Sequence, residues 1–404
     1  MAHSSSEPRH DTTHLSPEQG KRLIGLAGAI VVVGLGLAAF GYFSDHERFA
    51  FSYLTGFAWV TTIGLGGLFF VILQHLTKAG WSVAARRHME WVSMVLPVCA
   101  LLFLPVIFFS HTLYHHWMGE QALSDALLQK KAAWLNPNFF YGRAGFYFLA
   151  WTFLVWYFAK NSLEQDRTGE ARLTARMQIA SAPATPVFAL TLTFAGFDWL
   201  MSLDPHWYST IYGVYVFAGS VTSSLSVLAL VTIALQRSGL LQKVSTVEHQ
   251  HDIGKLLFGF TIFWAYIAFS QFILIWYANI PEETIFYIDR WEGNWRMISL
   301  LLLVGHFILP FLYLLPRTVK RNPIALGAGA VLMLFMHYVD LYWLVMPTGD
   351  PHASLAPATL LVDLGGLVLP IGVLLLVIAL RAAKGPLFPI KDPRLAETYK
   401  AENL

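Results

Sequence analysis

Apolar residues dominate ten segments of about twenty or more positions, at 22–43, 50–75, 91–112, 139–159, 184–203, 210–235, 255–279, 296–315, 324–345 and 359–381. Helices of that length, at about 1.5 Å rise per residue, cross a hydrocarbon core of roughly 30 Å. The pattern predicts an all-α, polytopic membrane protein with ten transmembrane helices. Lys and Arg concentrate on alternate connections. Placing both termini on one side gives that side Lys21, Arg22, Lys78, Arg86, Arg87, Lys160, Arg167, Arg172, Arg176, Arg237, Lys243, Lys255, Arg317, Lys320, Arg321, Arg381 and Lys384. The other side keeps little beyond Arg48, Lys130, Lys131, Arg143, Arg290 and Arg296. The positive-inside rule then predicts cytoplasmic termini.

Composition agrees with this picture. The 404 residues are 56% hydrophobic and 13% charged, too little polar surface for a soluble chain of this length. A net charge of +2, spread over several loops, gives no basic face for nucleic acid. One cysteine, Cys99, cannot build a disulfide framework, a CxxC site, a haem attachment or an iron–sulfur ligand set. Residues 1–20 are polar and predict a flexible cytoplasmic tail, with the first apolar run acting as an uncleaved anchor. The membrane domain is expected over 21–382 and a cytoplasmic C-terminal tail over 383–404. The longest outer connection, 113–138, predicts a short amphipathic helix.

Small residues at Gly25, Gly28, Gly34 and Gly36, and at Gly64, Gly66 and Gly67, predict close helix packing. Pro97, Pro105, Pro310 and Pro370 fall within spans, where each kinks the helix or frees a carbonyl. The polar groups at membrane depth carry more information, because an Asp at a helix centre costs on the order of 2.5 to 3.5 kcal/mol. Counting helical rise puts His306 near mid-membrane and His337 a little farther out, with Asp340, Asp363 and Asp198 about 10 Å from the centre toward the outer side. His337 and Asp340 are three apart and share a helix face. Imidazoles and carboxylates at stepped depths suit proton relay or hydrogen bonding to a quinone headgroup. The same residues also serve as interhelical hydrogen bonds.

On the cytoplasmic side, His75, Arg87, His88 and Glu90, and His249, His251, Asp252 and Lys255, flank the spans. His88 and Asp252 are the proton-entry candidates. His111 and His115 are four apart, but no HExxH pattern accompanies them, so no metal is expected. His306 and His337 form one histidine pair at matched depth, whereas haem-b bundles repeat such pairs at two depths.

Two strings are distinctive: FAGFDWLMSLDPHWYSTIYGVYVFAGS at 194–220 and FWAYIAFSQFILIWYANIPEET at 263–284. With the length and the span count, they resemble the NrfD-like membrane subunits of alternative complex III, a bacterial quinol:electron-acceptor oxidoreductase, closest to the shorter, ActF-like type. The resemblance implies two four-helix bundles, spans two to five and six to nine, flanked by the first and last spans. It also implies a place in the bacterial cytoplasmic membrane. The partners would be an iron–sulfur/molybdopterin-like subunit, a second NrfD-like subunit, c-type cytochrome subunits and a terminal oxidase. Haem and iron–sulfur centres would then sit on partner subunits only, and this chain would have no catalytic centre of its own. Its implied role is proton conduction first and menaquinone or ubiquinone binding second, with His306, His337, Asp340, Asp363 and Asp198 as carriers. Two other readings fit a ten-span chain: a secondary transporter of a small solute, and a structural anchor for redox subunits that docks them through the acidic, aromatic loop at 282–295.

Overall fold

The computed structural model describes residues 12–241 and 243–401. They form helices and no strand. Ten long helical segments carry the fold: α1 (Pro17–Ser44), α2 (His46–Leu76), α3 (Val83–Phe108), α4 (Pro137–Thr168), α5 (Ala171–Trp199), α6 (Tyr212–Arg237), α7 (Val247–Ala278), α8 (Trp295–Leu314), α9 (Pro323–Val345) and α10 (Pro357–Lys384). Among the described residues, nine helices are long and apolar enough to cross a membrane, and the chain is a multi-pass membrane protein. The exception to the expected ten is α4. It is continuous over 32 residues, but Arg143, Lys160, Asn161, Gln165 and Asp166 make it more polar than the others. Most of those side chains turn inward to partners on α3 and α5.

Local sequence sets the helix ends. Ser16 and Gln19 form a capping box ahead of Pro17. Asp45 caps α2, Asn136 caps α4 and Asn322 caps α9 through side-chain oxygens. Three of the four prolines singled out from sequence disturb the helix. α3 breaks at Met94 and Phe103, just before Pro97 and Pro105. Pro310 cannot bond the carbonyl of His306, and residues Leu302–Ile308 relax into a π-helical turn. Pro370 instead sits within the unbroken α10.

α2, α3, α4 and α5 close one four-helix ring, and α6, α7, α8 and α9 close a second. α2 and α6 pack together at the seam. α1 and α10 pair antiparallel on the outside, against α2. Close approach relies on missing side chains: a Cβ on Gly34 would lie 2.6 Å from the backbone of Leu369, and one on Gly66 would lie 2.1 Å from the carbonyl of Ser220. Gly25, Gly28 and Gly36 differ from expectation, since nothing lies within 4 Å of a Cβ there. They point away from α10, because the paired face of α1 is a narrow stripe.

The antiparallel α1/α10 pair puts the start of α1 and the end of α10 on one face, called here the terminal face. Of the tail predicted over 1–20, residues 1–11 lie outside the described residues, and helix begins at Pro17. The segment after α10 packs down: Leu387 and Phe388 are buried, the Leu387 N–H donates to the Thr13 carbonyl, and the Thr398 hydroxyl donates to the Gly80 carbonyl. The connection at 113–138 holds short helices at His115–Met118 and Ala126–Lys131.

Candidate functional site

Three buried carboxylates, alike in sequence, meet different surroundings. Asp198, near the end of α5, accepts from Arg143 Nε at 2.7 Å and Nη2 at 2.8 Å, from the Tyr147 hydroxyl at 2.7 Å and from the Trp134 indole at 3.0 Å. The Arg143 guanidinium lies against the Trp134 and Phe139 rings, 4.1 and 4.3 Å from their centroids. Asp363 on α10 accepts from Arg48 Nε at 3.0 Å and Nη2 at 2.7 Å, from Ser52 at 2.5 Å and from Tyr342 at 3.1 Å. Arg48 also donates to Asp350, at 2.5 Å, in the loop after α9. Burial pushes the Asp350 carboxyl up, but the backbone N–H of Ser354 and the Arg48 guanidinium outweigh it and hold the group below its ordinary value. Both Asp198 and Asp363 are therefore neutralised by bidentate arginine and saturated with donors, the geometry of clamps that fix helices to one another.

Asp340 on α9 is different. It is 1% exposed, and its partners are the Tyr215 hydroxyl on one oxygen and the Trp264 indole N–H, at 3.1 Å, on the other. No cation bonds to it among the described residues. The Trp264 ring lies on His306, with centroids 3.8 Å apart. His337 bonds through Nε2 to the Thr62 hydroxyl of α2 at 2.8 Å. Gly219 on α6 lies against both acid and imidazole: a Cβ there would be 2.9 Å from His337 Cε1 and 3.8 Å from Asp340 Oδ2. His337 and Asp340 thus share a face as expected, and the π turn in α8 turns His306 into the same core. Neither nitrogen of His306, nor Nδ1 of His337, bonds to another described protein group.

Hydroxyls extend this core toward the terminal face. Gly219, Thr222, Ser223 and Ser226 fall at i, i+3, i+4 and i+7 on the side of α6 turned into the second bundle, a run of about 10 Å. Thr222 confirms the direction by reaching the Phe260 carbonyl of α7 at 3.3 Å. Each hydroxyl donates to a carbonyl of its own helix and keeps its oxygen as an acceptor. On the other side, Tyr215 packs near Tyr212, and Tyr287, in the helix Pro281–Asp289, accepts from Gln271 at 3.2 Å.

The two entry candidates lie elsewhere. His88 is buried on α3 and bonds through Nδ1 to Thr232 at 3.3 Å, on a side of α6 turned away from the second bundle. Asp252 is half-buried at the start of α7, paired with Lys255 at 2.6 Å, and about 18 Å of helix separates it from Trp264. Beside His88, Arg86, Arg87, Glu90, Asp166 and Asp392 form a buried ion network.

Sequence reasoning passed over Tyr215, Trp264, Thr62 and the α6 hydroxyls. A tryptophan far from the interfacial belt and five Ser/Thr within SVTSSLS were the signals available. The first bundle offers no counterpart to this polar core: Phe57, Phe103, Phe148, Trp151 and Trp199 fill it, and the Trp151 indole is satisfied by Thr191 at 2.9 Å. Among the outer histidines, the His116 ring lies 4.0 Å from His115 and 6.5 Å from His206, centroid to centroid, and His206 pairs with Asp125 at 2.7 Å; among the described residues no group of three or more His, Cys, Asp or Glu could hold a metal ion. No protein-family model matches the chain, and no curated protein matches it.

Proposed function

We propose that this chain conducts protons through its second bundle, as a non-redox membrane subunit of a bacterial respiratory quinol-oxidising assembly, with both termini in the cytoplasm. The observation that carries the conduction reading is Asp340: a fully buried carboxylate with no cationic partner, grouped with two imidazoles. A carboxylate kept for architecture alone is expected to look like Asp198 or Asp363, where arginine offsets the cost of burial. Asp340 instead has neutral donors, so neither protonation state is locked by a fixed charge. His306 and His337 supply groups that both give and accept a proton. The hydroxyls of Thr222, Ser223 and Ser226 extend the route toward the cytoplasm, with internal water linking the members. Tyr215, Tyr212 and Tyr287 continue it outward. Asp363 and Asp198 drop to helix clamps in this reading.

Quinone contact is the weaker part of the expectation. His306, His337 and Asp340 are each at most 1% exposed, and Trp264 covers His306, so a headgroup would have to displace packed side chains to reach them. Quinol oxidation is therefore assigned to partner subunits that carry iron–sulfur and haem centres. The helix Pro281–Asp289 supports docking of such partners, since Glu282, Ile285, Ile288, Asp289 and Trp291 are exposed around it.

Purification of the native assembly through a tag on this chain tests the reading. Co-purifying c-type haem bands, an iron–sulfur subunit and quinol oxidation activity are expected. A colourless single polypeptide that moves a small solute in liposomes would replace the proposal with a transporter.

A further inference from the structure

At the terminal face, the ends of α3, α4 and α10 enclose a cleft lined by Arg87, Glu90, Trp91, Met94, Leu163, Arg381 and Lys384. Its charges do not cancel. Behind it, Arg86 pairs with Asp392 and Glu90, and Arg87 pairs with Asp166 and Glu90, which consumes the local acids. Arg381 and Lys384, one turn apart at the end of α10, are exposed beside the cleft and bond to no described protein group. The floor has its own unmet demand. Glu90 is 3% exposed, and neither of its oxygens receives a hydrogen bond, although guanidinium nitrogens lie 3.3 and 3.7 Å away. The walls are apolar: Trp91, Met94 and Ala159 flank the opening, and Leu163 is 42% exposed toward the lipid side.

Two free cations at the rim, a buried acceptor inside and an apolar flank open to the bilayer match one kind of ligand. We propose that this cleft binds one anionic phospholipid with a glycerol headgroup. Arg381 and Lys384 hold its phosphodiester, a headgroup hydroxyl donates to Glu90, and the acyl chains run along Leu163 and Met94. A choline headgroup fails on both counts, because it has no donor and the lipid has no net charge. Free inorganic phosphate satisfies the cations but has no chain for the apolar wall.

Native mass spectrometry of the full chain, delipidated in detergent and titrated with single lipids, tests this. Phosphatidylglycerol is expected to bind most tightly, phosphatidylmethanol (the same charge without hydroxyls) more weakly, and phosphatidylcholine least. The double variant Arg381→Gln, Lys384→Gln, whose side chains are exposed and outside the core, should keep its thermal unfolding midpoint. It should bind phosphatidylglycerol about tenfold or more weakly. Equal binding of phosphatidylglycerol and phosphatidylcholine by the unaltered chain, or unchanged binding by the folded double variant, overturns the site. Equal binding of phosphatidylglycerol and phosphatidylmethanol removes Glu90 from it. Displacement of bound lipid by millimolar inorganic phosphate would reassign it as a phosphate site.

Discussion

Replacing Asp340 by Asn separates carrying a proton from holding the bundle together. The carboxamide matches the site: its oxygen can accept from the Trp264 indole, now at 3.1 Å from Oδ2, while its NH2 donates to the Tyr215 oxygen. Both bonds survive with altered polarity, so the change in stability is expected to stay within about 1 kcal/mol. Asp340→Ala is the contrasting variant. It leaves the buried Trp264 N–H without an acceptor and is expected to cost about 1 to 3 kcal/mol. Conduction should behave differently, because a carboxamide neither binds nor releases a proton near neutral pH. A positioned acid–base group contributes on the order of 100-fold to proton transfer, and that is the expected loss for Asp340→Asn. The assay is quinol-driven proton movement by the purified assembly in liposomes with a trapped pH dye, with electron transfer measured in parallel. A variant that assembles normally and moves as many protons per electron as the parent would refute the reasoning and remove Asp340 from the path. Loss of assembly in Asp340→Asn would show instead that the carboxylate is a structural group.

Arg48→Ala strands Asp363 and Asp350 together and should destabilise the protein by about 3 to 5 kcal/mol, read as a lower thermal midpoint in detergent. The paired change Arg48→Met, Asp363→Leu should recover much of that loss, and a double variant no better than the single would contradict the clamp. Gly66→Ala places a methyl 2.1 Å from the Ser220 carbonyl and should cost about 1 to 3 kcal/mol or abolish folded yield, whereas Gly25→Ala meets nothing within 4 Å and should be silent. Asp350 sets a pH dependence. Its folded value lies below the ordinary 3.8, so its contribution is complete above that value and disappears as pH falls through the lower one. The Ser354 amide, whose N–H donates to Asp350 at 2.7 Å, should therefore be protected from hydrogen exchange at pH 5 and lose that protection in stronger acid, and Asp350→Asn should reduce the protection at pH 5 and remove its dependence on acid.

Apolar run length made the membrane architecture legible, because lipid demands helices of that length and little else competes with the signal. It also located His306, His337 and Asp340, since ionisable groups at depth are costly and rare. It did not separate Asp340 from Asp198 and Asp363. All three are lone acids in apolar helices, and what distinguishes them lies far away along the chain: Arg143 stands 55 residues before Asp198, and Arg48 stands 315 before Asp363. Tyr215 and Trp264 were hidden for a related reason. Tyrosine and tryptophan are frequent in this chain, and only the packing of α6, α7 and α9 turns two of them toward one carboxylate. The π turn at His306 was half legible, since Pro310 marks a lost hydrogen bond without saying how the helix absorbs it.

The two bundles share one frame and differ in what fills it, and the proposed proton path lies on one side of the seam. The first bundle closes over stacked aromatics, and its buried charges sit at the ends, each acid matched by arginine. The second ends in Arg290, which donates to the carbonyls of Trp343 and Leu344 and not to an acid, and its interior keeps two imidazoles, a carboxylate and hydroxyls with no balancing cation among the described residues. Stability alone does not account for that difference, because an aromatic filling of the first kind satisfies the same frame at lower cost. The hydroxyls run toward the terminal face and the tyrosines toward the opposite one. A polar core retained against its cost, and extended in both directions along the membrane normal, is the arrangement that proton movement requires and that anchoring does not.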